Sequence, residues 1–143
     1  MYSTGHLALG LILGKLTGDY PTAIISSVAI DLDHLIPYAQ QGIIFSPKKM
    51  WKAAKTPHAS SRGILHSFFA WAILSGIICL VNLEVGLVFS LGILGHFLLD
   101  ALDGDDFYPF YPIKKMNTKG FIGYYSRKEL FLTIVLFIIY FLI

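Results

Sequence analysis

The sequence predicts an all-α protein, a polytopic bundle of about five helices embedded in a membrane, with the first two helices short. Three observations predict it. The 143 residues are 55% hydrophobic and 14% charged, with a mean hydropathy of +0.66, whereas soluble domains carry about 25% charged residues. The apolar residues gather into five stretches, roughly 4–16, 21–36, 63–82, 85–102 and 129–143. Of eleven Lys and Arg, five (Lys48, Lys49, Lys52, Lys55, Arg62) lie between the second and third stretches and five (Lys114, Lys115, Lys119, Arg127, Lys128) between the fourth and fifth. The chain reads as one domain over 1–143, since no repeat, low-complexity tract or Gly/Ser linker divides it.

Each stretch has its own signals. The first, "MYSTGHLALGLILGKLTG", lacks a basic segment ahead of its apolar run and an A-x-A site, so it reads as a membrane segment and not as a cleaved signal. The turn "TGDYP" separates the first two stretches, with Asp19 as helix cap and Pro21 in a first helical turn. Only the third and fourth stretches reach the ~20 residues a perpendicular helix needs to cross the hydrocarbon. Thr56-Pro57 reads as a cap followed by Pro at the first helical position, and Gly104 as a C-terminal stop. If every stretch spans, the two basic loops share a side, and the positive-inside rule makes that side, and the N-terminus, cytoplasmic. Only Lys15 opposes the bias.

That topology gives meaning to the polar residues. An ionised Asp at the centre of a membrane helix costs roughly 2.5–3.5 kcal/mol, so water, a partner or a metal has to compensate it. His6 begins the first stretch, Asp31, Asp33 and His34 end the second, Arg62 and His66 open the third, and His96, Asp100 and Asp103 close the fourth. With alternating helix direction all of them come to the cytoplasmic end. Asp31 and His34 are three apart, and His96 and Asp100 four apart, so each pair shares a helical face. Imidazole and carboxylate without thiolate suit zinc, or manganese or iron, and seven candidate ligands (His6, Asp31, Asp33, His34, His66, His96, Asp100) suffice for one or two ions. Cys79, the only cysteine, excludes an intrachain disulfide and a Cys-based zinc site.

Other features bear on surroundings. A net charge of +2 is too small to imply nucleic acid. "SPKKMWKAAKTPH" sets Lys48, Lys52 and Lys55 on one side with Trp51 near the apolar edge, as in an interfacial helix drawn to anionic lipid headgroups or in an ordinary positive-inside loop. "DFYPFYPI" suits an interfacial aromatic anchor or a lining for the substrate's approach. Asp105 and Asp106 follow in a turn whose spacing is not that of a calcium loop. His58, four before Arg62, could face the same site.

Four motifs in order, "GHLALG" (5–10), "IDLDHLIP" (30–37), "SRGILHSFF" (61–69) and "LGILGHFLLDAL" with "FYPFYP" (91–112), resemble the YdjM-like family of inner-membrane metal-dependent hydrolases. The resemblance matches His6 to the family's first His, Asp31, Asp33 and His34 to its D-x-D-H, Arg62 and His66 to its R-G-x-x-H-S, and His96 and Asp100 to its H-x-x-x-D. The chain has Ser61 where the family has His, and Ile30 where it has Pro; His58 is the imidazole nearest to making up the difference.

The leading expectation is a metal-dependent hydrolase at the cytoplasmic leaflet, acting on a phosphoester or a lipid-like substrate. The His and Asp ligands hold the metal, Asp33 or Asp103 takes a proton, and Arg62 holds the anionic group of the substrate. Asp33 is open between ligand and base. The alternatives are a metal or proton transporter, which would place polar groups at the midplane and on both sides, and a scaffold whose metal site only ties helices together.

Overall fold

The computed structural model describes residues 3–54, 63–123 and 126–143, and all its regular elements among these are helical. They are α1 (Ser3–Thr17), α2 (Tyr20–Val28), a 3-10 turn (Ala29–His34), α3 (Leu35–Gln40), α4 (Pro47–Ala54), a second 3-10 turn (Ile64–His66), α5 (Phe68–Val81), α6 (Leu83–Leu102) and α7 (Arg127–Leu142). Lys55, Thr56-Pro57, His58, Ser61 and Arg62 lie outside the described residues.

Local chemistry explains most boundaries. Gly18, at φ +80°, ends α1 in a conformation that costs glycine no side-chain clash. Asp19 then caps α2 by accepting from the Thr22 N–H at 3.1 Å, with Pro21 in the first turn, as the sequence predicts. The stretch 21–36 is not one helix, however. It tightens into the 3-10 turn at Ala29, and three residues per turn eclipse Asp31 and His34.

The third stretch is also shorter than expected. Ser67 caps α5 by accepting from the Ala70 N–H at 3.2 Å, so that α5 has 14 residues and His66 sits in the turn before it. The same hydroxyl donates to the Ile64 carbonyl at 2.6 Å, closing the turn that carries His66. Ser67→Ala is expected to lower stability by about 1–2 kcal/mol, read as a lower midpoint of thermal unfolding in detergent.

Asn82 alone separates α5 from α6 and caps α6 through the Val85 N–H at 3.1 Å. At 20 residues, α6 is about 30 Å long, the thickness of the bilayer hydrocarbon. Among the described residues it is the helix long and apolar enough to cross a membrane; α5 is apolar but shorter. The end of α6 is close to the predicted stop, but Gly104 does not make it by a left-handed turn. Asp103 is extended and bridges to Ile122, with Gly104 N–H on the Ile122 carbonyl at 2.7 Å and Ile122 N–H on that of Leu102 at 3.0 Å. The segment after α6 is thereby folded back on the helix end, which delivers Phe107 into a core with Ile30, Ile93 and Phe97. The aromatic motif is thus divided: Phe107 is core, while Phe110 and Tyr111 remain partly exposed.

Helices α1, α2 and α6 cross at small residues. A Cβ on Gly92 would lie 1.9 Å from Ser26 Oγ, and one on Gly10 would lie 3.0 Å from the Ile24 Cα, so both crossings need the missing side chain. Ser26 tolerates burial because its hydroxyl donates back to the Thr22 carbonyl at 2.8 Å. Trp71 of α5 donates to Ser90 of α6 at 3.0 Å, which satisfies the indole N–H inside apolar surroundings. At the opposite end, Lys15 donates to the Tyr140 carbonyl at 3.1 Å. The cation that opposes the charge bias therefore sits where two helix C-termini present carbonyls.

Candidate functional site

The crossings bring one end of each helix together. His6 lies one turn before Gly10 on α1, His96 one turn after Gly92 on α6, and Asp31 and His34 on the turn that continues α2. The second 3-10 turn adds His66. His66 Nε2 and His96 Nε2 are 3.2 Å apart. Asp31 Oδ1 lies 3.6 Å from the first and 3.5 Å from the second. Asp100 Oδ2 lies 3.6 Å and 3.4 Å from the same two atoms. Ligands held at about 2.0–2.1 Å around a tetrahedral zinc ion stand roughly 3.3–3.4 Å apart, so the two imidazole nitrogens stand from each other and from each carboxylate oxygen at close to that spacing.

The far nitrogens explain how the imidazoles are oriented. His66 Nδ1 donates to Asp33 Oδ2 at 2.9 Å, and His96 Nδ1 donates to the Ser27 carbonyl at 2.8 Å. Both acceptors lack a proton to give, so in each neutral ring the proton is on Nδ1 and the Nε2 lone pair faces inward. Two facing lone pairs at 3.2 Å repel unless a proton or another cation lies between them. Burial pulls the His66 imidazole down, yet the carboxylates of Asp31, Asp33 and Asp100 overcome it and raise it to about 9. Burial likewise pushes Asp31 up, but hydrogen bonds from His34 and His66 hold its carboxyl below the usual range. A proton on His66 thus fills, in the metal-free chain, a place where the field favours positive charge.

Two further imidazoles flank the four donors. His34 Nε2 lies 3.5 Å from Asp31 Oδ1, and His6 Nε2 lies 3.6 Å from Asp100 Oδ1. His6 stacks on His96 with ring centroids 3.7 Å apart. Fully buried, its two ring nitrogens have no hydrogen-bond partner among the described residues. The six residues form two interleaved groups able to hold a metal ion, His6–His96–Asp100 and Asp31–His34–His66. The spacing, the inward lone pairs and the unsatisfied His6 all fit a divalent cation.

Six of the seven residues expected as ligands therefore come together. The seventh, Asp33, is buried behind His66 with one oxygen on the far nitrogen. Asp103 is buried at the end of α6, accepts from the Asp105 N–H at 3.4 Å and is in neither donor group. Arg62 and His58 are outside the described residues. Asp106 pairs with Lys119 at 2.8 Å and accepts from Asn117 at 2.6 Å, which makes the "GDD" segment a stapled turn.

Sequence reasoning missed one participant and one buried carboxylate on α7. Ser27 acts through its backbone carbonyl, for which no residue type gives a signal. Glu129 is fully buried in the first turn of α7, and the pattern Ser126-x-x-Glu129 was its legible sign: Ser126 Oγ accepts from the Glu129 N–H at 3.2 Å.

In comparison with known families, the family described as YdjM inner membrane protein matches the chain over residues 1–143. No curated protein and no solved structure matches the chain.

Proposed function

The chain belongs to the YdjM inner membrane protein family along its whole length, and on that premise we propose that it is a metal-dependent hydrolase, its centre at the cytoplasmic end of a multi-pass bundle. One observation carries the reading: the inward Nε2 atoms of His66 and His96 and the carboxylate oxygens of Asp31 and Asp100 converge at 3.2–3.6 Å. Zinc is the first choice for this donor set, with manganese or iron as alternatives, and His6 and His34 extend it toward a second ion. A divalent cation bound there supplies a lowered pKa for coordinated water and polarises a phosphoryl oxygen.

The residues of the chain divide the remaining work. Asp33 positions His66 by holding its proton on Nδ1. Asp103, three residues past Asp100, is assigned the proton transfer that two carboxylates shared as candidates. Arg62 holds the anionic group of a phosphoester or lipid-like substrate with its planar fork. Lys48, Lys52 and the exposed Trp51 on α4 lie against anionic lipid headgroups at the membrane surface. The two basic loops support a cytoplasmic position for this end and for the N-terminus. Gathering the polar groups at one end argues against a transport path, which would need them at the midplane.

Protein purified in detergent is expected to carry one or two equivalents of metal by elemental analysis and to hydrolyse a phosphoester until a chelator removes the metal. Metal-free protein that cannot be reloaded would overturn the reading. Asp33→Asn is expected to weaken metal affinity about 10–100-fold in a chelator competition, because the amide no longer enforces the His66 tautomer. The metal competes with the His66 proton, so affinity should rise with pH by about tenfold per unit and level off above about 9. The same competition run at several pH values reads the slope.

A further inference from the structure

Access to the centre is one-sided. His6, His66, His96 and Asp100 are at most 1% exposed, while the side chains of Asp31 and His34 are 20% and 24% exposed. A substrate meeting these donors has to come over Asp31 and His34. The residues next to Asp31 and His34 in the chain are apolar and exposed. At roughly 120° per residue the 3-10 turn has three faces: Asp31 with His34, Leu32 with Leu35, and Asp33 continuing toward Ile36. Leu32 is 60% exposed, Leu35 37% and Ile36 56%. The turn carrying His66 packs against this one so closely that a Cβ on Gly63 would lie 2.7 Å from Asp33 Oδ2, and its Ile64 is 51% exposed.

We propose that the substrate is a phosphate-headed lipid that reaches the centre from within the bilayer, its phosphate at the Asp31–His34 opening and its chain over Leu32, Leu35, Ile36 and Ile64. This rests on the metal-centre reading and names its substrate class. The charge argument runs through the groups already assigned: the phosphate goes to the cation of the proposed centre and to Arg62, and the remainder of the molecule meets aliphatic side chains. A water-borne phosphoester would lose hydration on passing four exposed aliphatic side chains and gain no contact from them. A lipid keeps its acyl chain in the apolar layer while its phosphate reaches the opening, and so passes these side chains without that cost.

The test uses the full chain in phosphatidylcholine nanodiscs, loaded with cobalt(II) so that the visible bands report the donor set. Phosphatidic acid in the disc and glycerol 3-phosphate in solution are titrated separately. The lipid is expected to shift the bands at an effective concentration on the order of 100-fold below that of the soluble headgroup. Leu32→Gln combined with Ile36→Gln is expected to weaken the lipid response about tenfold and leave the lipid-free bands and the glycerol 3-phosphate response unchanged. Equal responses to both phosphates, or an unaffected double variant, overturn the lipid assignment and leave the metal centre standing. Failure to bind cobalt(II) overturns both.

Discussion

His96→Ala is expected to reduce bound metal to below about a tenth of the wild-type content and to abolish the stabilisation that metal confers. Five contacts of the site end at this one fully buried ring: the Ser27 carbonyl at 2.8 Å, His66 Nε2 at 3.2 Å, Asp100 Oδ2 at 3.4 Å, Asp31 Oδ1 at 3.5 Å and the stacked His6 ring at 3.7 Å. On the metal-centre reading truncation removes a ligand, and loss of a ligand costs far more than loss of the group that orients it. It also leaves the Ser27 carbonyl unpaired in the interior, at about 1–3 kcal/mol. Two measurements separate these effects. Elemental analysis gives the metal content, and thermal unfolding with and without chelator gives the linkage. The wild type should lose stability when chelator is added, whereas the variant should start lower and show no further change. A variant that retains full metal would refute the assignment of His96.

Gly92→Val is expected to be strongly destabilising although it lies outside the donor set. The first added atom would lie 1.9 Å from Ser26 Oγ, 2.8 Å from Ser26 Cβ and 3.2 Å from Ser27 Oγ, so α2 and α6 must separate. Overpacking of this kind costs about 1–3 kcal/mol, and here the displaced residue next in line is Ser27, whose carbonyl fixes the His96 ring. The substitution should therefore lower both the unfolding midpoint and the metal affinity, although it touches no ligand. Gly76→Ala is the control. A Cβ there meets nothing within 4 Å, so stability should hold or rise by up to about 1 kcal/mol through the better helix propensity of alanine. Comparable losses at both positions would remove the argument from close helix crossing.

The donors were legible in the chain because polar groups in apolar helices are expensive. Each of His6, Asp31, His34, His66, His96 and Asp100 stands out against its neighbours, and strict alternation of helix direction is enough to predict that they share an end. Asp19 and Pro21 were equally plain, since capping is a local bond between neighbours in sequence. The length of the apolar helices was less so. Counting apolar residues made 63–82 one helix, while the Ser67 hydroxyl starts α5 five residues later and leaves His66 in a turn. Hydrophobicity does not distinguish a helix from a 3-10 turn. The end of α6 was placed to within two residues, but the reason lay about twenty residues downstream, in the bridge from Asp103 to Ile122.

By itself the sequence determined the helical class, the family and the set of imidazoles and carboxylates, because composition, periodicity and motif order are properties of residues and their neighbours. The tertiary structure decided how those residues divide their roles. Asp31 and Asp33 are chemically identical and two positions apart, yet on a 3-10 turn they point to different faces, so one meets the inward His66 Nε2 and the other the outward Nδ1. That distinction, like the hold of Ser27 on His96, depends on elements far apart in the chain packing within a few tenths of an ångström, and no local pattern encodes it.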